Sequence, residues 1–141
     1  MKTIPILFFL IFVSTACASN IDLNVKSWEV LETKTFNKKI QQGYLSGLSW
    51  VTKPELYVFN LFELSNLKKV SYEYSVDNTE NPENIEISII RDGFLDDSVR
   101  GDIQQIKLKK NHEGKWEVLY AKRAINCWRN KTLVYSSEEC P

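Results

Sequence analysis

Four aspartates crowd into one short stretch of the chain: Asp92, Asp96, Asp97 and Asp102. Carboxylates at that density suit either a cation or an acid and base working as a pair. Calcium takes roughly six to eight oxygens, and one loop with three aspartates supplies about half of them. The spacing is not that of an EF-hand, because the glycine and the terminal glutamate are misplaced. The same residues also suit a plainer task. Asp96-Asp97-Ser98 can cap a turn, with the side chains accepting backbone amides. The structural role is the expectation, so no bound metal is expected, with Asp92, Asp96 and Asp97 as the ligands to examine.

Other reactive groups are few. The chain has one histidine, His112, and three cysteines, Cys17, Cys127 and Cys140. His112 lies between Lys110 and Glu113 with no second ligand near it in sequence, which reads as a solvated turn. A nucleophilic cysteine needs a base beside it, and no Gly-rich phosphate loop, G-x-S-x-G or H-E-x-x-H pattern occurs. The expectation is therefore no cofactor and, on balance, no catalysis. Trp116, Trp128, Tyr120 and Tyr135 can form core or a ligand face. Trp128, Arg129 and Tyr135 are the candidate binding residues. Arg100-Gly101-Asp102 spells the integrin-recognised tripeptide, but Val99 and Ile103 place it in a strand. Asn130-Lys131-Thr132 is a glycosylation acceptor pattern that matters only in a eukaryotic secretory route.

The N-terminus indicates where such groups would work. Lys2, the apolar run Ile4–Val13 and the small residues Ser14–Ala18 have the form of a secretory signal over residues 1–18. The run is shorter than the roughly 20 apolar residues a membrane-spanning helix needs. Ala16-Cys17-Ala18 fits cleavage after Ala18. Val13–Cys17 instead resembles a lipobox in which Cys17 takes the lipid, although Ser14 stands where an aliphatic residue is usual. Either route leaves Cys127 and Cys140 as the remaining pair. In an exported chain that pair reads as one disulfide closing a loop of about 14 residues. The bridge is worth on the order of 3 kcal/mol in the chain-entropy treatment.

These residues must be positioned by a single domain, 19–141. The whole chain is 141 residues long, with 18 basic and 18 acidic side chains and 43% hydrophobic residues. That balance excludes a disordered chain and a basic nucleic-acid module. Residues 21–50 are ambiguous. Trp28, Leu31, Phe36 and Ile40 suit a helical stripe that Gly43 could end. Thr52-Lys53-Pro54-Glu55 has the form of a capping box, and the apolar run behind it predicts a helix at about 54–68, buried on most sides. The period then changes to two. Tyr72, Tyr74 and Val76 alternate with polar residues, as do Ile85, Ile87 and Ile89. A third strand is expected over Val99–Lys109. Ile103 is out of phase there, which suggests a bulge near Gln104-Gln105. After the tight connection Asn111–Gly114, a last strand runs over about 115–126 from Trp116. The expected fold is α+β, with an N-terminal helix or helices on a four-stranded antiparallel sheet and a disulfide-pinned tail. By analogy it is of the cystatin-like or NTF2-like roll type.

Several of these segments, Trp50–Pro54, Arg91–Gly101, Trp116, Cys127-Trp128-Arg129 and Ser136–Pro141, resemble a family of small exported bacterial proteins of unknown function. In that family a G-[LF]-x-D-D-S-V stretch precedes a strand, and a Trp-bearing strand leads to a C-terminal cysteine pair. The resemblance covers residues 50–141. Many relatives carry Gly-Arg-Gly-His between the cysteines, where this chain has Asn130–Tyr135. The resemblance implies bacterial export, a disulfide and a compact domain, and carries no activity.

The leading expectation is thus a small non-catalytic protein of the cell envelope, lipid-anchored at Cys17 or free in the periplasm or medium. Its partner would be another envelope component, not nucleic acid. The alternatives are a metal-dependent enzyme or hydrolase built on Asp92–Asp102, or an enzyme inhibitor using a protruding Asn130–Tyr135 loop.

Overall fold

The computed structural model describes residues 23–141. The signal segment, both cleavage readings and Cys17 lie outside the described residues. Five strands form one open antiparallel sheet: β1 (Glu29–Val30), β2 (Lys69–Val76), β3 (Asn84–Asp92), β4 (Val99–Lys110) and β5 (Trp116–Cys127). Their order across the sheet is β1-β5-β4-β3-β2. The four expected strands are β2 to β5. The fifth, β1, is two residues long, too short to leave a period-two signature, and it pairs Glu29 and Val30 with Arg123 and Lys122.

Helix α1 (Lys34–Leu45) lies over β5 on one face of the sheet. Its buried stripe is Phe36, Ile40 and Tyr44, the i, i+4, i+8 spacing of one helical face. Gly43 does not end this helix. It sits inside it, where a Cβ would lie 2.4 Å from Val51 Cγ1, so the missing side chain admits the Trp50-Val51 turn. Gly47, at φ +66°, follows the helix end.

The long helix expected at 54–68 is replaced by two 3₁₀ turns, Ser49–Thr52 and Pro54–Leu56, and a short α2 (Tyr57–Leu61). The capping box does not form, since Thr52 Oγ1 donates instead to the Ser49 carbonyl. The helix stops because Phe62 turns extended and enters the core, leaving the Glu63 carbonyl free for Arg91 Nη1 at 3.0 Å.

The core lies between the helices and the face of the sheet carrying Ile85, Ile87, Ile89, Ile106, Leu108, Val118 and Ala121. A smaller cluster covers the other face, where Ile103, Ala124 and Tyr135 pack with Leu23, Val25, Trp28 and Ile90. This explains the phase of Ile103. The ladder runs unshifted from Gly101 to Lys107, and the irregularities fall at Val99/Gly101 and Lys107/Leu108 rather than at Gln104-Gln105. Ile103 is apolar because the second face is buried there too.

The tail returns to close β5. Ser136 exchanges both backbone hydrogen bonds with Ile125, at 2.7 and 2.9 Å, and Tyr135 bridges to Val25. The expected disulfide Cys127–Cys140 holds it, with Cα atoms 5.6 Å apart.

Candidate functional site

The aspartates expected to share a loop are separated by the sheet. In the antiparallel register Asp102 faces Arg91 and Asp92 faces Gly101, so side-chain alternation sends Asp102 to the helix side and Asp92 to the other. Asp102 is fully buried and its oxygens are fully engaged. Arg91 binds it in a fork, Nε to Oδ1 at 2.8 Å and Nη2 to Oδ2 at 2.6 Å. Gln104 Nε2 and Arg123 Nε also reach Oδ2, at 2.9 and 2.8 Å. Arg91 further stacks over Phe94, 5.3 Å from the ring centre. A buried charge is tolerated only when paired and hydrogen-bonded in this way.

On the opposite face Asp92 accepts from Arg100 Nε at 2.9 Å. Asp96 caps the connection, its Oδ1 accepting the amides of Val99 and Ser98 at 2.6 and 2.8 Å. Those two bonds hold its carboxyl below the usual carboxylate range. Asp97 is exposed, with Ser98 Oγ at 3.5 Å. Among the described residues, no three of His, Cys, Asp and Glu gather as metal ligands. The Arg100-Gly101-Asp102 tripeptide is locked in β4, with Arg100 paired, Asp102 buried and Gly101 against the Arg91 carbonyl, so it is no exposed recognition loop.

The candidate binding residues divide in the same manner. Tyr135 is buried in the second cluster, and burial pushes its hydroxyl pKa up. Trp128 is part-exposed at the disulfide end, its indole N–H on the Asp96 carbonyl and its ring flanked by Lys68 and Arg100 at 5.4 and 5.6 Å. Arg129 binds the Pro141 carbonyl at 2.9 Å. Trp116 is core, whereas Tyr120 and His112 are exposed. The Asn130–Leu133 segment is exposed, while Val134 is tied back by Asn126.

A cleft that sequence reasoning missed lies on the second face, between the Leu23–Trp28 segment and β2. Its volume is about 450 Å³. Its floor is two rows of side chains running across the strands. One row is polar, Glu73, Ser88, Gln105 and Lys122 in register on β2, β3, β4 and β5. The next is mostly apolar, with Ser71, Ile90 and Ile103 in register on β2, β3 and β4. Lys122 lies 4.1 Å from the centre of the Trp28 ring, which forms part of the wall. A carboxylate at one end, an ammonium at the other and an amide and hydroxyl between them can orient a ligand over an apolar floor. The only local signal was polar residues at the outward phase of each strand. Their alignment exists only in the register.

Comparison with known protein families, with curated proteins and with solved structures finds no match to this chain. Among the described residues no helix is long and apolar enough to cross a membrane.

Proposed function

We propose that this is an exported bacterial envelope protein that binds another envelope component in the cleft crossed by Glu73, Ser88, Gln105 and Lys122. The observation that carries the reading is that cleft, where a polar row with a carboxylate at one end and an ammonium at the other lies in register beside a mostly apolar one. The Asp92–Asp102 segment supports it from the other side: Asp92, Asp96 and Asp102 are engaged by Arg100, by backbone amides, and by Arg91 with Arg123. The disulfide is compatible with an oxidising compartment. The helix-on-sheet form is of the cystatin-like or NTF2-like roll type in this reading, an analogy that carries no activity.

The proposal includes an export signal within residues 1–18, read by the lipidation route in which Cys17 is the first mature residue, and kinship with the exported family that shares the Asp-Asp-Ser-Val stretch. Two acyl chains suffice for stable attachment where one is marginal. Cys17→Ser is then expected to move the protein from the membrane to the soluble fraction. A wild type that is already soluble, with Ser19 at its N-terminus, overturns the anchor. The cleft is tested by affinity capture from solubilised envelope with wild type and with Lys122→Glu and Gln105→Ala. A component retained by wild type and lost by both variants is expected. Equal retention by all three rules the cleft out as the binding site.

A further inference from the structure

The two edges of the sheet are treated differently. The outer edge of β5 is occupied along its length. β1 pairs with Lys122 and Arg123, Leu31 N–H reaches the Ala121 carbonyl, the Asn37 amide brackets Val118 from both sides, and Ser136 pairs with Ile125. Among the described residues nothing pairs with the outer edge of β2. β2 is eight residues long and contains no proline, and Lys69 and Glu73 are the charges it carries, so only these two side chains guard the exposed edge.

Its helix-side positions are Val70, Tyr72, Tyr74 and Val76, the phase of a buried face. Tyr72 nevertheless remains 47% exposed, and Phe59, which meets it edge-on at 5.8 Å, 56%. An aromatic strip therefore runs along an open edge.

We propose that this edge pairs with the same edge of a second copy, in antiparallel register about a two-fold axis at Tyr72. The backbone limits the choice. Asp77 N–H bonds to the Asn84 carbonyl, so by alternation the odd-numbered residues of β2 point their amides at β3. Val70, Tyr72, Tyr74 and Val76 point theirs outward, and an isologous pairing must match these positions with each other. An axis at Glu73 meets that condition but sets two carboxylates directly opposite, which is repulsive. The axis at Tyr72 sets Tyr72 against itself and Val70 against Tyr74. On the other face it places Glu73 opposite Ser71, diagonal to the second copy's Lys69 on one side and to its Glu73 on the other, so two Lys69–Glu73 pairs form against one Glu73–Glu73 pair, none of them directly opposed. The two Phe59–Tyr72 pairs then lie on the same side of one continuous sheet. The dimer edge shares Ser71 and Glu73 with the end of the cleft, but its pairing needs no bound component, and association is measured on the protein alone.

Sedimentation equilibrium of the protein purified with its disulfide intact is expected to show a monomer–dimer equilibrium at micromolar concentration. Tyr72→Lys sets like charges across the axis and raises the dissociation constant at least about tenfold. Lys69→Glu and Glu73→Lys each weaken association, and the two together restore it. Tyr72→Cys forms a covalent dimer on mild oxidation, because directly opposed hydrogen-bonded residues have Cα atoms about 5.5 Å apart, within disulfide reach. Tyr74→Cys, offset from its own copy, does not. A wild type that stays monomeric at several hundred micromolar overturns the proposal, as does a monomer that takes up only an extended peptide along β2. A dimer unaffected by a folded Tyr72→Lys also overturns it. Should Tyr72→Lys fail to fold, indifference to both single charge changes does so in its place.

Discussion

Asp102 shows how one residue can combine the cost of a buried charge with the means of offsetting it. Its carboxylate ends the helix-side core with no exposure to water, and Arg91, Arg123 and Gln104 fill its oxygens. Asp102→Ala leaves Arg91 buried without its partner, and loss of one member of such a pair destabilises by about 3–5 kcal/mol. Chemical denaturation should register that loss. Replacing Asp102 and Arg91 together with apolar residues of similar volume should recover most of it, because the stranded charge is then gone. Asp96 works at the surface and by geometry. Asp96→Ala removes the acceptor for two turn amides and should lower Tm by a few degrees. A calcium site would instead raise the wild-type Tm with added calcium, by mass action. Since the oxygens of Asp92 and Asp96 are engaged and Asp102 lies on the opposite face, melts with calcium and with chelator should superimpose.

At the scale of the elements, connections held by carboxylates make the sheet sensitive to acid. Asp77 closes the β2–β3 connection through the Asn84 side-chain amide and the amides of Asn84 and Glu83, and its pKa falls to about 2. Asp96 in the β3–β4 connection is lowered for the same kind of reason. A carboxyl depressed on folding binds protons more readily when unfolded. Its contribution is full above the unfolded value near 4 and fades as pH falls through the folded one. Tm should therefore hold flat from neutrality to about pH 5 and then fall toward pH 2. Asp77→Asn should flatten part of that fall and lower Tm at neutral pH. If the pH profile of this variant overlays that of wild type, the Asp77 cap is not what holds the connection.

For the whole molecule, the disulfide joins the end of β5 to a tail that also pairs with β5 and with the N-terminal segment. Removing a native bridge from a small secreted domain costs about 2–5 kcal/mol. Cys127→Ser with Cys140→Ser should lower stability by that amount. The loss should fall first on the second face, where Tyr135 anchors the cluster beneath Trp28. Hydrogen exchange should show the Ile125 amide, bonded to Ser136, losing protection before the amides inside the β3–β4 ladder. Uniform loss across the sheet would mean that the tail and the sheet unfold as one unit.

The sequence by itself determined what depends on neighbours along the chain. Alternation at Ile85, Ile87 and Ile89 marked β3, Gly114 marked the β4–β5 turn with its positive φ, and the two cysteines beyond Cys17 marked the bridge. Tertiary structure alone decided what depends on register and on opposing surfaces. The apolar run after Pro54 reads as a long helix because helix propensity is local. It breaks at Phe62 because the core takes that ring and Arg91 takes the next carbonyl. Ile103 reads as a slip because one strand cannot report that both its faces are covered. Asp92 and Asp102 read as one cluster because sequence distance does not register the sheet between them. The Glu73–Lys122 row draws one residue from each of four strands, so it exists only once their pairing aligns them.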